Sequence, residues 1–254
     1  MNIKEIYNSN KQRVLTGLVL LGIAVLTAAM DSLFLTWAIL GIAYLCAFHE
    51  AMKLFGEKDN KLYIYAVLVW LLAAFYPQPE GIIFVVLVIS TAVMAHKKAV
   101  NYKALAPFFY PSISMLFLFT LYKDFGMNNL IWLVVVIALT DTSAYFVGKS
   151  IGKTPFSPTS PNKTWEGVIG GILIATAVGT FVGLMHYSLV ISILTSFLVS
   201  CASIWGDLFE SYLKREAGVK DSGTIFPGHG GFLDRLDGYL FGVVVMVFIL
   251  RGIA

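Results

Sequence analysis

The chain of 254 residues is 58% hydrophobic and 13% charged, with a formal net charge of +3 and a mean hydropathy of +0.79. Soluble domains carry about 25% charged residues, so this composition excludes an ordinary soluble domain and indicates an integral membrane protein. The basic residues are scattered and not interleaved with aromatic ones, which argues against nucleic acid as a partner. Cys46 and Cys201 lie in separate apolar runs, and their placement indicates no zinc or redox role.

Apolar runs of the length that spans a bilayer recur along the whole chain. We identify nine candidate spans, near 14–29, 32–48, 62–76, 81–95, 105–122, 129–148, 166–185, 188–206 and 236–252. The third and fourth are short, which leaves open that they are tilted differently or partly buried. The predicted fold class is an all-α, polytopic membrane helix bundle of about nine transmembrane helices, in which residues 1–254 form a single domain.

The basic residues predict the orientation of this bundle. Of the 18 lysines and arginines, all but Lys123 and Arg251 fall on the side of the N-terminus when nine spans are drawn. The positive-inside rule then predicts that the N-terminus lies inside and the C-terminus outside. The expected partner of these cations is the bilayer, with its anionic headgroups, or a charged substrate. A cleavable signal peptide is not expected, because the first apolar run is followed at once by another.

A polar segment, residues 141–167, begins near the end of the sixth candidate span and continues to the start of the seventh. Asp141 and Tyr145 are four residues apart and share one helix face near the end of that span. A carboxylate there is costly unless it faces water, a cation or the bundle interior, which favours a functional role; the alternative is an acid that simply reaches the interface. Lys163 precedes the seventh span, and Glu166 in its first turn complements the helix dipole.

The longest polar segment, residues 211–237, precedes the last apolar run and reads SYLKREAGVKDSGTIFPGHGGFLDRLD. Basic residues, flexible glycines and close carboxylates in one segment suit a polyphosphate that binds together with a divalent cation. The alternative is a charged loop between two membrane helices, but such a loop needs no comparable density of Gly, His and paired Asp. We therefore predict a binding site in this segment.

Three acids in this region are candidate ligands of magnesium. Asp234 and Asp237 are three residues apart at the mouth of the ninth span, so they share a helical face. Asp207 ends the eighth span and joins the pair if the intervening loop folds back. Magnesium takes few carboxylate ligands and leaves its other positions to water and phosphate oxygens. The alternative is that Asp234 and Asp237 only pair with basic side chains.

Basic residues and a glycine turn are the candidate contacts for phosphate groups. Asp207, Ser211 and Lys214 follow the i, i+4, i+7 spacing of one helix face, so a helix that continues past the membrane carries all three together. In the turn from His229 to Gly231, glycines let backbone N–H groups approach a phosphate. For His229 we favour binding or positioning over proton transfer.

Segment 211–237 resembles the signature of the phosphatidate cytidylyltransferases, also called CDP-diacylglycerol synthases. The matching positions, in order and spacing, are Ser211, Leu213, Lys214-Arg215, Lys220-Asp221, Gly223, Phe226-Pro227, His229-Gly230-Gly231-Phe232 and Asp234-Arg235-Leu236-Asp237. A second run, Ser160-Pro161, Lys163-Thr164 and Glu166-Gly167, resembles another region of the same enzymes. The hydrophobic layout agrees along almost the full length.

The resemblance implies an enzyme that converts CTP and phosphatidic acid to CDP-diacylglycerol and pyrophosphate with Mg²⁺, with a second cation as an alternative. It implies a bacterial cytoplasmic membrane location with the site facing the cytoplasm. The candidate catalytic residues are Asp207, Lys214, Arg215, Lys220, Asp221, His229, Asp234 and Asp237, and three of these (Asp207, Asp234, Asp237) are the candidate metal ligands. The candidate substrate-binding residues are Asp141, Tyr145, Lys153, Ser160, Lys163, Thr164, Glu166, Ser211, Gly230, Gly231 and Arg235.

Two other functions stay open on the sequence alone. Another CTP-dependent lipid enzyme, such as a polyprenol kinase or an archaeal-lipid cytidylyltransferase, needs similar residues. A cation-coupled transporter also places carboxylates in its helices. Against the transporter, the chain contains no paired repeats, and its acids gather on one membrane face. The oligomeric state is also open, with a homodimer among the alternatives.

Overall fold

The structure is a computed structural model that describes residues 3–98, 101–226 and 230–253, with side chains described from residue 15 onward. Apolar sequence folds into helices here because a helix satisfies all its backbone polar groups internally. The elements are α1 (Ile3–Met30), α2 (Leu33–Leu54), α3 (Lys61–Phe75), α4 (Ile82–Lys97), α5 (Tyr102–Pro107), α6 (Ile113–Phe125), α7 (Met127–Ile151), β1 (Pro155–Ser157), β2 (Ser160–Thr164), α8 (Trp165–Gly183), α9 (Leu189–Glu216) and α10 (Leu233–Ile253).

The described residues contain seven helical segments long and apolar enough to cross a membrane. They are α2, α7, α8, α9, α10, the segment Pro79–Lys97 and the segment Tyr102–Phe125, in which a π-helical turn joins α5 to α6. Leu15–Met30 and Lys61–Phe75 are shorter apolar helices. The all-α, polytopic fold class is therefore confirmed, whereas the count of nine spans and the orientation stay predictions.

A small β-hairpin departs from the all-helical expectation. Pro155–Ser157 pairs antiparallel with Ser160–Thr164 between α7 and α8. Pro155, Pro158 and Pro161 do not allow a helix to continue through this region, and its backbone pairs with itself instead. Proline is tolerated as the first residue of a strand, which is the position of Pro155 in β1.

The described chain divides into two compact units. The first comprises Met1–Ile113 and Ala217–Arg235, and the second comprises Ser114–Glu216 and Leu236–Ala254. The expectation that residues 1–254 act as a single catalytic domain stays a prediction.

Aromatic side chains build the core of the first unit. The indole Nε1 of Trp37 on α2 donates to the carbonyl of Trp70 on α3, and the Trp70 Nε1 donates back to the carbonyl of Trp37, each over 3.2 Å. Tyr44 stacks on Trp70 with ring centroids 5.2 Å apart, and Phe48 meets Phe108 edge-on at 5.1 Å. This pairing fixes the register of α2 against α3, and with it the position of the polar end of α2.

Small and hydroxylated residues hold the second unit together. Buried glycines of α8 face α7 and α9, and such residues allow membrane helices to approach closely. Across the α7–α9 contact, the Trp132 Nε1 donates to the Ser196 Oγ at 3.1 Å, and the hydroxyls of Thr140 and Ser200 lie 2.8 Å apart. These pairs align the two helices so that their polar ends lie side by side.

Candidate active site

A cavity of about 470 Å³ opens at one end of the second unit. It is formed by the last turns of α7, the β2–α8 junction and the last turns of α9. Its volume lies within the range of small-molecule sites. The polar residues that line it are Asp141, Tyr145, Lys149, Asn162, Lys163, Thr164 and Asp207. The structure therefore brings the polar segment 141–167 together with Asp207 of α9, four residues before the second polar segment.

An ion pair crosses this cavity. The Lys163 ammonium of β2 pairs with the Asp207 carboxylate of α9, and both side chains are about one quarter exposed, at 22% and 26%. The Ser211 hydroxyl, one turn further along α9, donates to Asp207 Oδ1 over 3.3 Å. Lys149 lies over the Tyr145 ring, with its ammonium 5.7 Å from the centroid. Two cations and two carboxylates thus face a space that water or a charged ligand can enter.

Further acids lie close to Asp207. Asp237, in the second turn of α10, is within electrostatic range of Asp207, Glu210 and Asp141. Glu210 is fully buried, and its Oε2 accepts a 2.7 Å hydrogen bond from the Lys214 ammonium. Four carboxylates are therefore gathered at the ends of three helices. Such a concentration is unfavourable for folding and typical of a site that handles cations or phosphates.

The hairpin is fastened to the start of α8 by Glu166. Its Oε2 accepts from the backbone N–H of Lys153 and of Thr154, both at 3.2 Å, and its Oε1 accepts from the Thr154 hydroxyl at 3.0 Å. The Thr164 Oγ1 caps α8 by accepting from the Gly167 N–H at 3.2 Å. These bonds hold the strand that carries Lys163. In this structure, Glu166 and Thr164 thus position the hairpin.

In the first unit, the signature segment is organised around Asp234. Asp234 Oδ2 accepts from the Ser222 N–H at 2.9 Å, from the Ser222 hydroxyl at 2.9 Å and from the Gly231 N–H at 2.7 Å. The Gly231 N–H, which the sequence analysis offers to a phosphate, is therefore directed to Asp234. Phe226 N–H donates to the Gly230 carbonyl at 2.9 Å.

A second carboxylate in the same unit, that of Glu50 on α2, accepts hydrogen bonds from this segment. Glu50 is 1% exposed. Its Oε1 accepts from the Phe232 N–H at 3.0 Å, and its Oε2 accepts from the Leu233 N–H and the Ser222 hydroxyl, both at 2.9 Å. A Cβ at Gly231 would overlap the Glu50 carboxylate, so a larger residue there would displace that carboxylate from its hydrogen bonds.

The structure separates the predicted site residues into two sets. Asp141, Tyr145, Lys163, Thr164, Asp207, Ser211, Lys214 and Asp237 lie in the second unit, as do Lys153, Ser160, Glu166 and the exposed Arg215. Lys220, Asp221, Gly230, Gly231, Asp234 and the exposed Arg235 lie in the first. His229 lies outside the described residues. Helix α9 carries Asp207, Ser211 and Lys214 to its end at Glu216, as their spacing predicts.

Two residues that the sequence analysis did not single out take part in these contacts. Glu50 belongs to no recognised motif of the sequence, whereas the structure buries it against the signature segment. An acid near the end of a long apolar helix indicates a functional or paired site. This signal is present at Glu50 as well as at Asp141. Asn162 lines the cavity next to Lys163 without any recognisable motif of its own.

The fold and this charged cavity define a polytopic membrane protein equipped to handle an anionic substrate. The model of the cytidylyltransferase family matches residues 11–253. A phosphatidate cytidylyltransferase of Helicobacter pylori is 45% identical over 245 residues, which cover 95% of this chain and 92% of that protein. One of Thermotoga maritima is 34% identical over 267 residues, covering 95% and 96%. The chain therefore belongs to the cytidylyltransferase family.

Proposed function

We propose that this protein transfers the cytidylyl group of CTP to phosphatidic acid and releases pyrophosphate. The observation that carries the proposal is the likeness to phosphatidate cytidylyltransferases along 95% of the chain. The charged cavity at one end of membrane helices supports it, because one substrate comes from water and the other from the bilayer. The rival transporter is disfavoured by the same likeness.

The reaction couples two anions. A phosphate oxygen of phosphatidic acid attacks the α-phosphorus of CTP, a new P–O bond forms, and the bond to the β-phosphate breaks as pyrophosphate leaves. The protein must therefore position the reactants and offset their charge, which are the main needs of phosphoryl-type transfer. Because the attacking phosphate is already ionised, the reaction needs no general base.

Cations of the second unit are suited to that task. Lys163 and Lys149 both line the cavity and are the candidate contacts for the phosphate groups. Asp207 holds the Lys163 ammonium in place before substrate arrives, so little rearrangement is needed when a phosphate enters. Lys214, which Glu210 holds at the neighbouring turn, contributes positive charge to the same helix end.

The carboxylates of Asp207 and Asp237 are the proposed magnesium ligands. Asp207 and Asp237 supply carboxylate oxygens, which magnesium prefers, and two protein carboxylates leave the rest of an octahedron to water and phosphate oxygens. Among the described residues, no group of three or more His, Cys, Asp or Glu is placed to hold a metal ion. When bound, the ion offsets the charge of the phosphates. A role for Asp234 as a ligand stays a prediction from the sequence.

The proposed orientation places the N-terminus and the charged cavity in the cytoplasm of a bacterium. It predicts that cysteines introduced at the exposed Lys220 and at the exposed Ile253 react with an impermeant thiol reagent from opposite sides of the membrane. The measurement uses a background in which Cys46 and Cys201 are replaced. Reaction of both positions from the same side would rule out the nine-span arrangement.

The activity is tested with purified protein, phosphatidic acid, magnesium and CTP labelled on the α- or the γ-phosphate. Cytidylyl transfer places the α-label in lipid and releases pyrophosphate. A lipid kinase places the γ-label in lipid and releases CDP, and that outcome would replace the proposal. Ion flux in vesicles without any turnover of CTP would favour a transporter instead.

A further inference from the structure

Glu50 lies outside both polar segments of the sequence. Its buried carboxylate nevertheless contacts the signature segment. It is 1% exposed and lies in α2, four residues before that helix ends at Leu54. The three hydrogen bonds that its carboxylate accepts all come from the segment 222–233, which is 172 to 183 residues later in the chain. A carboxylate this buried is retained only where its oxygens are fully used.

The geometry shows that only a carboxylate fits this position. Phe232 and Leu233 point adjacent backbone N–H groups at the two oxygens of Glu50, one at each. These two N–H groups belong to the start of α10, where four backbone donors have no partner within the helix. Glu50 thus caps α10 from another helix. An amide in its place turns one acceptor into a donor and leaves a buried N–H without an acceptor.

The Ser222 hydroxyl connects Glu50 to Asp234. It lies 2.9 Å from Glu50 Oε2 and 2.9 Å from Asp234 Oδ2, and its oxygen also accepts from the Asp234 N–H at 3.3 Å. One hydroxyl proton serves two carboxylates, so the position of either acid constrains the other. Asp234 belongs to the signature and is a candidate catalytic residue of the proposed reaction.

We propose that Glu50 is a positioning residue: it caps α10 and, through the Ser222 hydroxyl, sets the orientation of the Asp234 carboxylate on which the proposed cytidylyl transfer depends. The proposal deepens the proposed function and rests on it for its kinetic part. Its structural part, the ordering of segment 222–233, stands independently. A displaced catalytic group lowers the rate of the chemical step more than it weakens the binding of distant parts of the substrate.

The test compares Glu50→Gln with Glu50→Asp and with the control Glu57→Gln. Glu57 is an acid of the same unit whose carboxylate accepts from Lys58, Asp59 and Asn101, remote from the signature segment in sequence. Glu50→Gln is expected to lower kcat by more than about tenfold, with KM for phosphatidic acid nearly unchanged. Glu50→Asp keeps the charge on a shorter stem and recovers part of the rate, while Glu57→Gln behaves as wild type.

Amide hydrogen exchange supplies a readout that does not need activity. Exchange in 222–233 is expected to accelerate in Glu50→Gln, with exchange in α9 and the melting temperature close to wild type. If Glu50→Gln does not fold, Ser222→Ala is the second variant. It removes the hydroxyl that joins Glu50 to Asp234 but keeps the bonds from the Phe232 and Leu233 N–H groups to Glu50. It is expected to lower kcat without faster exchange at Phe232 and Leu233. Unchanged exchange in a folded Glu50→Gln, or a normal kcat in both variants, overturns the proposal.

The two proposals fail in different ways. If wild-type protein shows no cytidylyl transfer, the proposed function is wrong, and the exchange measurement still decides whether Glu50 orders the segment. If wild-type protein is active and Glu50→Gln is equally active, the function stands and the positioning role is wrong.

Discussion

Asp237→Asn is expected to lower cytidylyl transfer by more than about tenfold, a loss of over about 1.4 kcal/mol of transition-state stabilisation, while the melting temperature stays level or rises. The rate falls because the substitution keeps the shape of the side chain and removes the charge that would hold a cation. The fold is not weakened, because the neighbours of Asp237 are themselves acids: Asp207, Glu210 and Asp141. The hydrogen bond that its Oδ1 accepts from the Gly238 N–H at 2.8 Å is available to asparagine as well.

This combination separates a functional acid from a structural one. The control is Asp124→Asn, in the same unit, which breaks the 2.9 Å ion pair between Asp124 and Arg251. Arg251 lies 14 residues beyond Asp237 on α10, or about 21 Å along the helix axis. We expect Asp124→Asn to leave the rate unchanged. Full activity of Asp237→Asn with an unaltered magnesium dependence would remove Asp237 from the proposed ligands.

Lys163→Ala is expected to reduce the rate by a similar factor, more than about tenfold, and for two reasons. It removes a cation that faces the cavity, and it leaves the partly buried Asp207 carboxylate without the partner that it has in this structure. The second effect also costs stability, so the melting temperature falls. Lys163→Arg retains the charge and recovers part of the activity if phosphate contact is the main role.

The matched control is Lys58→Ala, which removes an exposed lysine from the loop after α2. Kinetics at varied CTP and varied phosphatidic acid show which substrate Lys163 serves, because a lost phosphate contact raises KM for that substrate. A Lys163→Ala protein with the rate of Lys58→Ala would reduce Lys163 to a residue that only orients the chain in the membrane.

Membrane helices and their polar ends were predictable from the sequence because both leave local patterns. Long apolar runs located α2, α7, α8, α9 and α10, and the four-residue spacing of Asp141 and Tyr145 predicted that both share a helix face, which lines the cavity. The i, i+4, i+7 spacing on α9 likewise predicted a helix that continues to Glu216. Each of these features depends on residues fewer than about thirty positions apart, within the length of one spanning helix.

Contacts between distant parts of the chain were not predictable in the same way. Glu50 and Leu233 are 183 residues apart, and no periodicity in a single sequence relates them. The hairpin at Pro155–Thr164 was missed because two strands of three and five residues are too short to show an alternating pattern. The Asp234 carboxylate illustrates both cases: its helical register was predictable, but its three hydrogen bonds to Ser222 and Gly231 required the fold.

The distance in sequence between Glu50 and its donors also has a consequence for how the chain is made. A ribosome that adds about 5 to 20 residues per second needs roughly 10 to 30 s to synthesise the 172 residues from Glu50 to Ser222. During that interval the carboxylate must stay in water or against another polar group, since lipid does not tolerate it bare. The hydrogen bonds that bury Glu50 and cap α10 can therefore form only after one of the last polar segments has been synthesised.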